Sequence, residues 1–343
     1  MSKTGPGISR RNVLAGAGAM TAASFPFVRS SRAQTKRDSI NIIRSSGNLT
    51  AVIEELMTQQ DAFGKFGLAP TTIAAADGQK ILGSIISGEE DICPLSGFAN
   101  IFPAVQRGAK VKLINGGVLL GQQTIVSAKP EIKSIKDLGG KIVGIGSLGA
   151  QLHQTMVALL LKNGVDPAKV TWVNIGSSAD VYRAVTQKTV DAGAAQIDVI
   201  PTLGKVGVHR LEGGDMWSNI PEYPFQGGFA SDATIGKKRD LLVRALAAYA
   251  WTFRFLSGPG SKDAYSDARR KALSGSGAEF DESSDFQWNF FQTVKPFAQD
   301  LILSPERIAY LQDLNVQTEV QKGVLPYDQV CDMSLAKEAL RLL

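Results

Sequence analysis

The chain has 343 residues, a length that suggests about two domains. Its 44% hydrophobic and 20% charged residues are those of a globular protein able to bury real cores. The formal charge of +5 comes from the first 34 residues, which hold Lys3, Arg10, Arg11, Arg29 and Arg32 and no acid. Taking those five from the 37 basic groups leaves 32 against 32 acidic ones, so the remainder offers no bulk charge for nucleic acid or an anionic membrane.

Chain order begins with "SRRNVLAGAGAMTAAS", a polar start with paired arginines and then a weakly apolar run from Val13 to Ala23. Such a run of about 11 residues is too short to span a bilayer, which needs about 20. Ser31 and Ala33 in "SSRAQ" give an A-x-A-like cleavage site, so residues 1–33 are expected to be removed. Ser9-Arg10-Arg11-Asn12-Val13-Leu14 resembles a twin-arginine export signal, with Val where Phe is commoner. The resemblance implies a periplasmic protein. Export in the folded state favours free thiols at Cys93 and Cys331 over a disulfide.

Strand and helix patterns then alternate. "SINIIRSS" reads as a strand, and "NLTAVIEELMTQQDAFGKFG" as a helix with Asn48 as its N-cap. "APTTIAAA", "EEDICPLS" and "AKVKLINGGVL" read as strands separated by the helices "GQKILGSIISG" and "GFANIFPAVQRG". The rhythm restarts with the strand "QQTIVSAK" and the short helix "SIKDLGG". "KIVGIGS", "KVTWVNI" and "DAGAAQI" follow as strands, alternating with the helices "GAQLHQTMVALLLKNG" and "SADVYRAVTQKTV". Two such runs with short loops predict two parallel-sheet α/β domains. From Lys237 onward the pattern is helical.

Four phrases, "DAFGKFGLAP", "GQKILGSIISGEEDICPLSG", "SIKDLGGKIVGIGSLGA" and "LPYDQVCDMSLAKEAL", occur in an order that resembles the ABC-transporter substrate-binding proteins of the sulfonate, nitrate and thiamine-precursor group. The resemblance implies a type II periplasmic binding protein fold: α/β, with two lobes of parallel-rich sheets flanked by helices and a ligand cleft between them. Residues 34–122 and 226–343 would form lobe 1 and residues 123–225 lobe 2, with crossovers near Gly121–Thr124 and Tyr223–Gly228. It also implies a small-molecule solute, an ABC permease as partner, and action as a monomer. The fungal thiamine-precursor synthases share this fold, but their cysteine-rich stretch has no counterpart here. A sensor-type binding protein docking on a membrane receptor stays open as well.

"GIGSLG" at Gly144–Gly149 spells the G-x-G-x-x-G of a dinucleotide site, which also needs a carboxylate at the end of the next strand. That strand ends in Asn174-Ile175-Gly176, so no nucleotide cofactor is expected. Instead, four strand-to-helix joints carry small polar residues: Ser45-Ser46-Gly47-Asn48, Ser96-Gly97, Gly146-Ser147-Leu148-Gly149 and Gly176-Ser177-Ser178. Such joints lie at the carboxyl ends of parallel strands, where ligands bind and helix N-termini offer N–H groups. The candidate ligand-binding residues are Arg44, Ser45, Ser46, Gly47, Ser96, Gly97, Gln123, Ser147, Leu148, Gly149, Ala150, Gln196 and Tyr223. Each has a bland alternative: Ser and Gly as caps and turns, Arg44 in a salt bridge, Tyr223 in the core. With two histidines and two distant cysteines, neither a catalytic triad nor a metal site is expected, and the protein reads as a binder rather than an enzyme.

Overall fold

A computed structural model describes residues 37–343; the export-signal reading falls outside them. Within them the chain alternates as β1 (Asp38–Ser45), α1 (Asn48–Gln59), β2 (Leu68–Ala75), α2 (Gly78–Ser87), β3 (Cys93–Ser96), α3 (Ile101–Gln106) and β4 (Val111–Val118). It continues with β5 (Gln123–Ser127), β6 (Ile142–Ile145), α4 (Gln151–Lys162), β7 (Thr171–Asn174), α5 (Ser178–Thr186) and β8 (Ala192–Gln196). A 3-10 stretch (Ile197–Val206), β9 (His209–Arg210), α6 (Met216–Asn219) and β10 (Gln226–Ser231) follow. The helices α7 (Asp232–Lys237), α8 (Arg239–Leu256), α9 (Lys262–Leu273), α10 (Ala278–Val294), α11 (Pro305–Gln317), α12 (Tyr327–Val330) and α13 (Ser334–Ala339) complete it.

Two sheets share one strand order. In the first, β1 pairs in parallel with β2, and the N–H of Ile43 reaches the carbonyl of Ile92 at 3.0 Å, tying β1 to the entry of β3. β10 then lies antiparallel between β3 and β4. In the second the order is β7-β6-β8-β5-β9, with β6 parallel to β7 and β8 and β5 antiparallel to β8. Parallel pairing holds where β1 meets β2 and where β6 meets β7 and β8, and each sheet also carries one reversed strand, which begins just after the chain passes from one sheet to the other. Alternation of strand and helix patterns cannot show this, because a strand that follows a crossover enters from the opposite end.

The "QGGFAS" strand, β10, escaped the sequence reading. A Cβ on Gly228 would stand 2.1 Å from Asn115 Oδ1 and 2.8 Å from the carbonyl of Cys93, so glycine is what allows this strand between its neighbours. Glycine also makes it look like a loop. The proposed N-cap Asn48 is corrected too. Gly47 takes the cap position in an extended conformation, Asn48 is the first helical residue, and no side chain caps α1.

The C-terminal helices wrap both sheets. Leu242, Leu246, Ala250 and Phe253 line one buried face of α8, each at most 1% exposed, and fully burying a Leu or Phe contributes roughly 1.5–3 kcal/mol. α9 packs on α1, and α10 packs on the 3-10 stretch after β8. There Arg269, buried on α9, pairs with Asp198 at 2.9 Å and bonds Ser284 at 2.7 Å. Cys93 and Cys331 are buried free thiols. Burial pushes the Cys331 thiol up to about 12 and the Cys93 thiol well above its ordinary value.

Candidate functional site

Register brings the carboxyl ends of the central strands into two rows. In the first sheet Ser45 and Ser46 close β1, Ser96 closes β3 opposite Gly227, and Gln226 opens β10 one residue beyond. In the second, Ser147 follows β6, Gln196 closes β8, and Gln123 opens β5 directly opposite Gln196. The rows meet through α4. Gln151 at its start donates from Nε2 to the carbonyl of Phe225, and its Oε1 comes within 3.1 Å of where a Cβ on Gly97 would stand. Gln154, one turn on, donates to Asn315, whose own amide reaches the Ala99 carbonyl at 3.0 Å.

Helix ends at these rows are left open. α1 and α4 have no side-chain cap, so their first-turn N–H groups face outward with the positive end of each helix dipole. The neighbouring helices are closed: Asp77 accepts from Gln79 N at 2.8 Å at the start of α2, and Ser177 accepts from Asp180 N at 3.3 Å at the start of α5. Four side chains beside the rows carry buried polar atoms without a hydrogen-bond partner: Ser45 Oγ, both amide atoms of Gln122, Gln123 Oε1 and Gln226 Oε1. Each such group left unsatisfied costs about 1–3 kcal/mol, so the arrangement suits something that hydrogen-bonds to it.

The remaining candidates divide. Ser46 and Gly47 are exposed, and the N–H of Ser46 is spent on Ala75 O at 3.0 Å. Ser96 is buried and Gly97 half-buried. Ser147 and Leu148 are exposed at the loop tip, Leu148 by 69%. Ala150, exposed, occupies the N-cap position of α4. Gly149 has a φ of +76°, which favours glycine, and donates its N–H to His153 Nδ1 at 3.1 Å. Burial lowers the His153 pKa and keeps the ring neutral, so that Nδ1 can accept.

Three readings need correction. Arg44 is spent on a pair with Glu54 and on the Ser45 carbonyl at 3.0 Å, so it brings no free charge to the row. Tyr223 is buried and donates to Gln154 Oε1 at 3.1 Å, so it fastens the crossover to α4 and offers no face for stacking. In the fourth joint Ser177 caps α5 and Ser178 accepts from Gln196 Nε2 at 3.0 Å, so both hydroxyls serve the fold.

Gln151 and Gln226 were missed by the sequence reading; their only signal is a polar amide directly after a glycine-rich joint or directly after a crossover. The end of β7 offers Asn174 where a dinucleotide site needs a carboxylate, and one amide of the glycine loop is already taken by His153. A separate cavity of about 410 Å³ lies outside the rows, lined by Pro221, Glu222, Ser304, Glu306, Arg307 and Tyr310. Its Arg307 is committed to the carbonyls of Leu119 and Pro221, at 3.4 and 2.5 Å. Among the described residues no group of three His, Cys, Asp or Glu could hold a metal ion, and no helix is long and apolar enough to cross a membrane.

The family described as "NMT1/THI5 like" matches residues 58–255. No curated protein sequence matches. Among solved structures, the periplasmic aliphatic sulphonate binding protein SsuA from Escherichia coli superposes with a TM-score of 0.69 at 16% identity, over 88% of this chain and 99% of that one. The alkanesulfonate-binding protein SsuA from Xanthomonas axonopodis pv. citri, bound to MOPS, gives 0.65 at 14% identity over 89% and 98%. The desulfurization enzyme DSZB gives 0.61 at 14% identity over 89% and 99%. At these identities the likeness establishes a shared fold, that of the periplasmic binding proteins.

Proposed function

The chain belongs to the NMT1/THI5-like family, and we propose that it is an extracytoplasmic solute-binding protein that hands a small molecule to an ABC importer. One observation carries this: small polar residues stand at the ends of central strands in both sheets, Gln151 at the start of α4 bonds the Phe225 carbonyl just before β10, and α1 and α4 begin without side-chain caps. We assign residues 34–122 and 226–343 to one lobe and 123–225 to the other, with the crossovers as hinge. The binding set is Ser45, Ser46, Gly47, Ser96, Gly97, Gln123, Ser147, Gly149, Ala150 and Gln196, joined now by Gln122, Gln151 and Gln226. Export by the twin-arginine route, periplasmic location, a monomeric state and an inner-membrane permease partner complete the proposal.

DSZB shows that this fold also carries enzymes. Binding without chemistry is the better reading for this chain, because both thiols are buried with raised pKa values and His153 spends its Nδ1 lone pair on the backbone. Native mass spectrometry of protein purified without refolding, followed by small-angle scattering with and without the solute found, tests the function. A co-purifying small molecule that contracts the particle is expected. A bound molecule that turns over would restore the enzyme reading.

A further inference from the structure

The 3-10 stretch at Ile197–Val206 leaves β8 directly after Gln196 and packs on α10. Its Asp198 pairs with Arg269 of α9 at 2.9 Å, and Arg269 is only 3% exposed. Ser283 of α10 donates its hydroxyl to the Asp198 carbonyl. Beside them Lys205 stands 3.8 Å from Glu282, and Trp217 of α6 meets Phe290 of α10 edge to face at 5.0 Å. α9 itself packs on α1, the helix that follows β1. The corner between α9 and α10 therefore joins the parts of the chain that carry the two sheets, and none of these residues lies in either crossover.

We propose that Arg269 and Asp198 form a latch that holds the two lobes together in the absence of solute and parts when the protein opens. The inference rests on the two-lobe, solute-binding reading above. A buried ion pair is a poor point of separation when parting leaves a bare charge behind. Here it does not. Arg269 keeps bonds within its own corner, to Ser284 Oγ at 2.7 Å and to the Phe280 carbonyl at 3.2 Å, and its guanidinium lies 4.4 Å from the centre of the Phe280 ring. The Asp198 side chain is 13% exposed against 4% for Arg269, so the carboxylate is the partner that water reaches first. Such a pair sets the fraction of solute-free protein that is closed, and the apparent affinity for a solute scales with the competent fraction. It acts close to the site, since Asp198 follows Gln196 at the end of β8 by two residues.

The test measures the distance between spin labels on cysteines placed at the exposed positions Lys80, on α2, and Gln187, just after α5, in the whole chain dialysed free of solute. Cys93 and Cys331 are buried and escape labelling. In Arg269→Gln and in Asp198→Asn a second, longer distance is expected, with a population at least about threefold that in the unsubstituted chain. The double variant should match the single ones, as two halves of one pair do. Arg269→Lys, which keeps the charge, should return the distances toward those of the unsubstituted chain and guards against a failure of the other variants to fold. A purely structural role would lower the melting temperature and leave the distances alone. Unchanged distances in the variants that fold, or shifts that add in the double variant, overturn the latch. Solute retention, read separately by native mass spectrometry before dialysis, tells the two readings apart: a retained solute with unchanged distances sinks the latch alone, whereas an unsubstituted chain that retains nothing counts against the solute-binding function on which the latch rests.

Discussion

The joints β1–α1 and β6–α4 differ from the next joints in the same sheets, β2–α2 and β7–α5, in one respect: the latter spend a side chain on closing their helix. Asp77 and Ser177 satisfy first-turn N–H groups, whereas Gly47 and Ala150 hold the same positions at α1 and α4 with nothing to offer. Forgoing a cap costs typically about 1 kcal/mol. Twice, at pseudo-equivalent places, the chain leaves that stabilisation unused where a ligand can supply it. A glycine-serine joint is therefore informative only when its hydroxyl has no intramolecular work.

The largest expected effect comes from closing an open joint by bulk. Gly149→Val forces a β-branched residue to a φ of +76° and sets its Cβ 3.0 Å from Val320 Cγ2. We expect a stability loss of about 1–3 kcal/mol and an affinity loss of about 100-fold, about 2.7 kcal/mol. Calorimetry with the co-purified solute checks it, and unchanged affinity would remove the glycine loop from the site. Next is Ala150→Asp, which installs the missing cap in a backbone already extended at φ −79° and ψ 169°. Stability should rise by about 1 kcal/mol while affinity falls about tenfold, about 1.4 kcal/mol; a rise in both would mean that no solute uses the first turn of α4. The mirror experiment is Ser177→Ala at a closed joint. It should lose about 1 kcal/mol in urea denaturation and leave affinity alone, and a weakened complex would erase the distinction between the joints.

The smallest effect is on pH. Burial lowers the His153 pKa from the usual 6.5. The support it gives the Gly149 loop is therefore complete above 6.5 and is lost as pH falls through the depressed value. At the closed joint, the hydrogen bond from Ser177 holds Asp180 below the usual 3.8, so its support is complete above 3.8 and lost only beneath that. On acidification the amide resonance of Gly149 should move before that of Asp180. The reverse order would show that His153 does not brace the loop.

Most strands and helices of both sheets, β9 and β10 excepted, were legible in the sequence because their apolar residues repeat at the right periods, as "SINIIRSS" and "GAQLHQTMVALLLKNG" do. The short polar joints were legible as a set, since serine and glycine at strand ends suit both turns and ligands. Their sorting was not. Ser177 and Ser147 look alike in sequence, yet one caps a helix and the other stands exposed at a loop tip. Likewise Arg44 beside Ser45 reads as an anion site until Glu54, ten residues on, is seen to hold it.

By itself, then, the sequence determined what local periodicity and turn chemistry encode: the alternating elements, the two α/β runs, the helical C-terminal third, and the absence of an acid where a dinucleotide needs one. Tertiary structure alone decided which strand runs backwards, that glycine-rich "QGGFAS" is a strand, and that Gln123 and Gln226 open matching strands with unpaired oxygens. The reason is physical. Whether a polar atom is satisfied depends on partners tens to hundreds of residues away, as Gln154 depends on Asn315, and no local pattern records who those partners are.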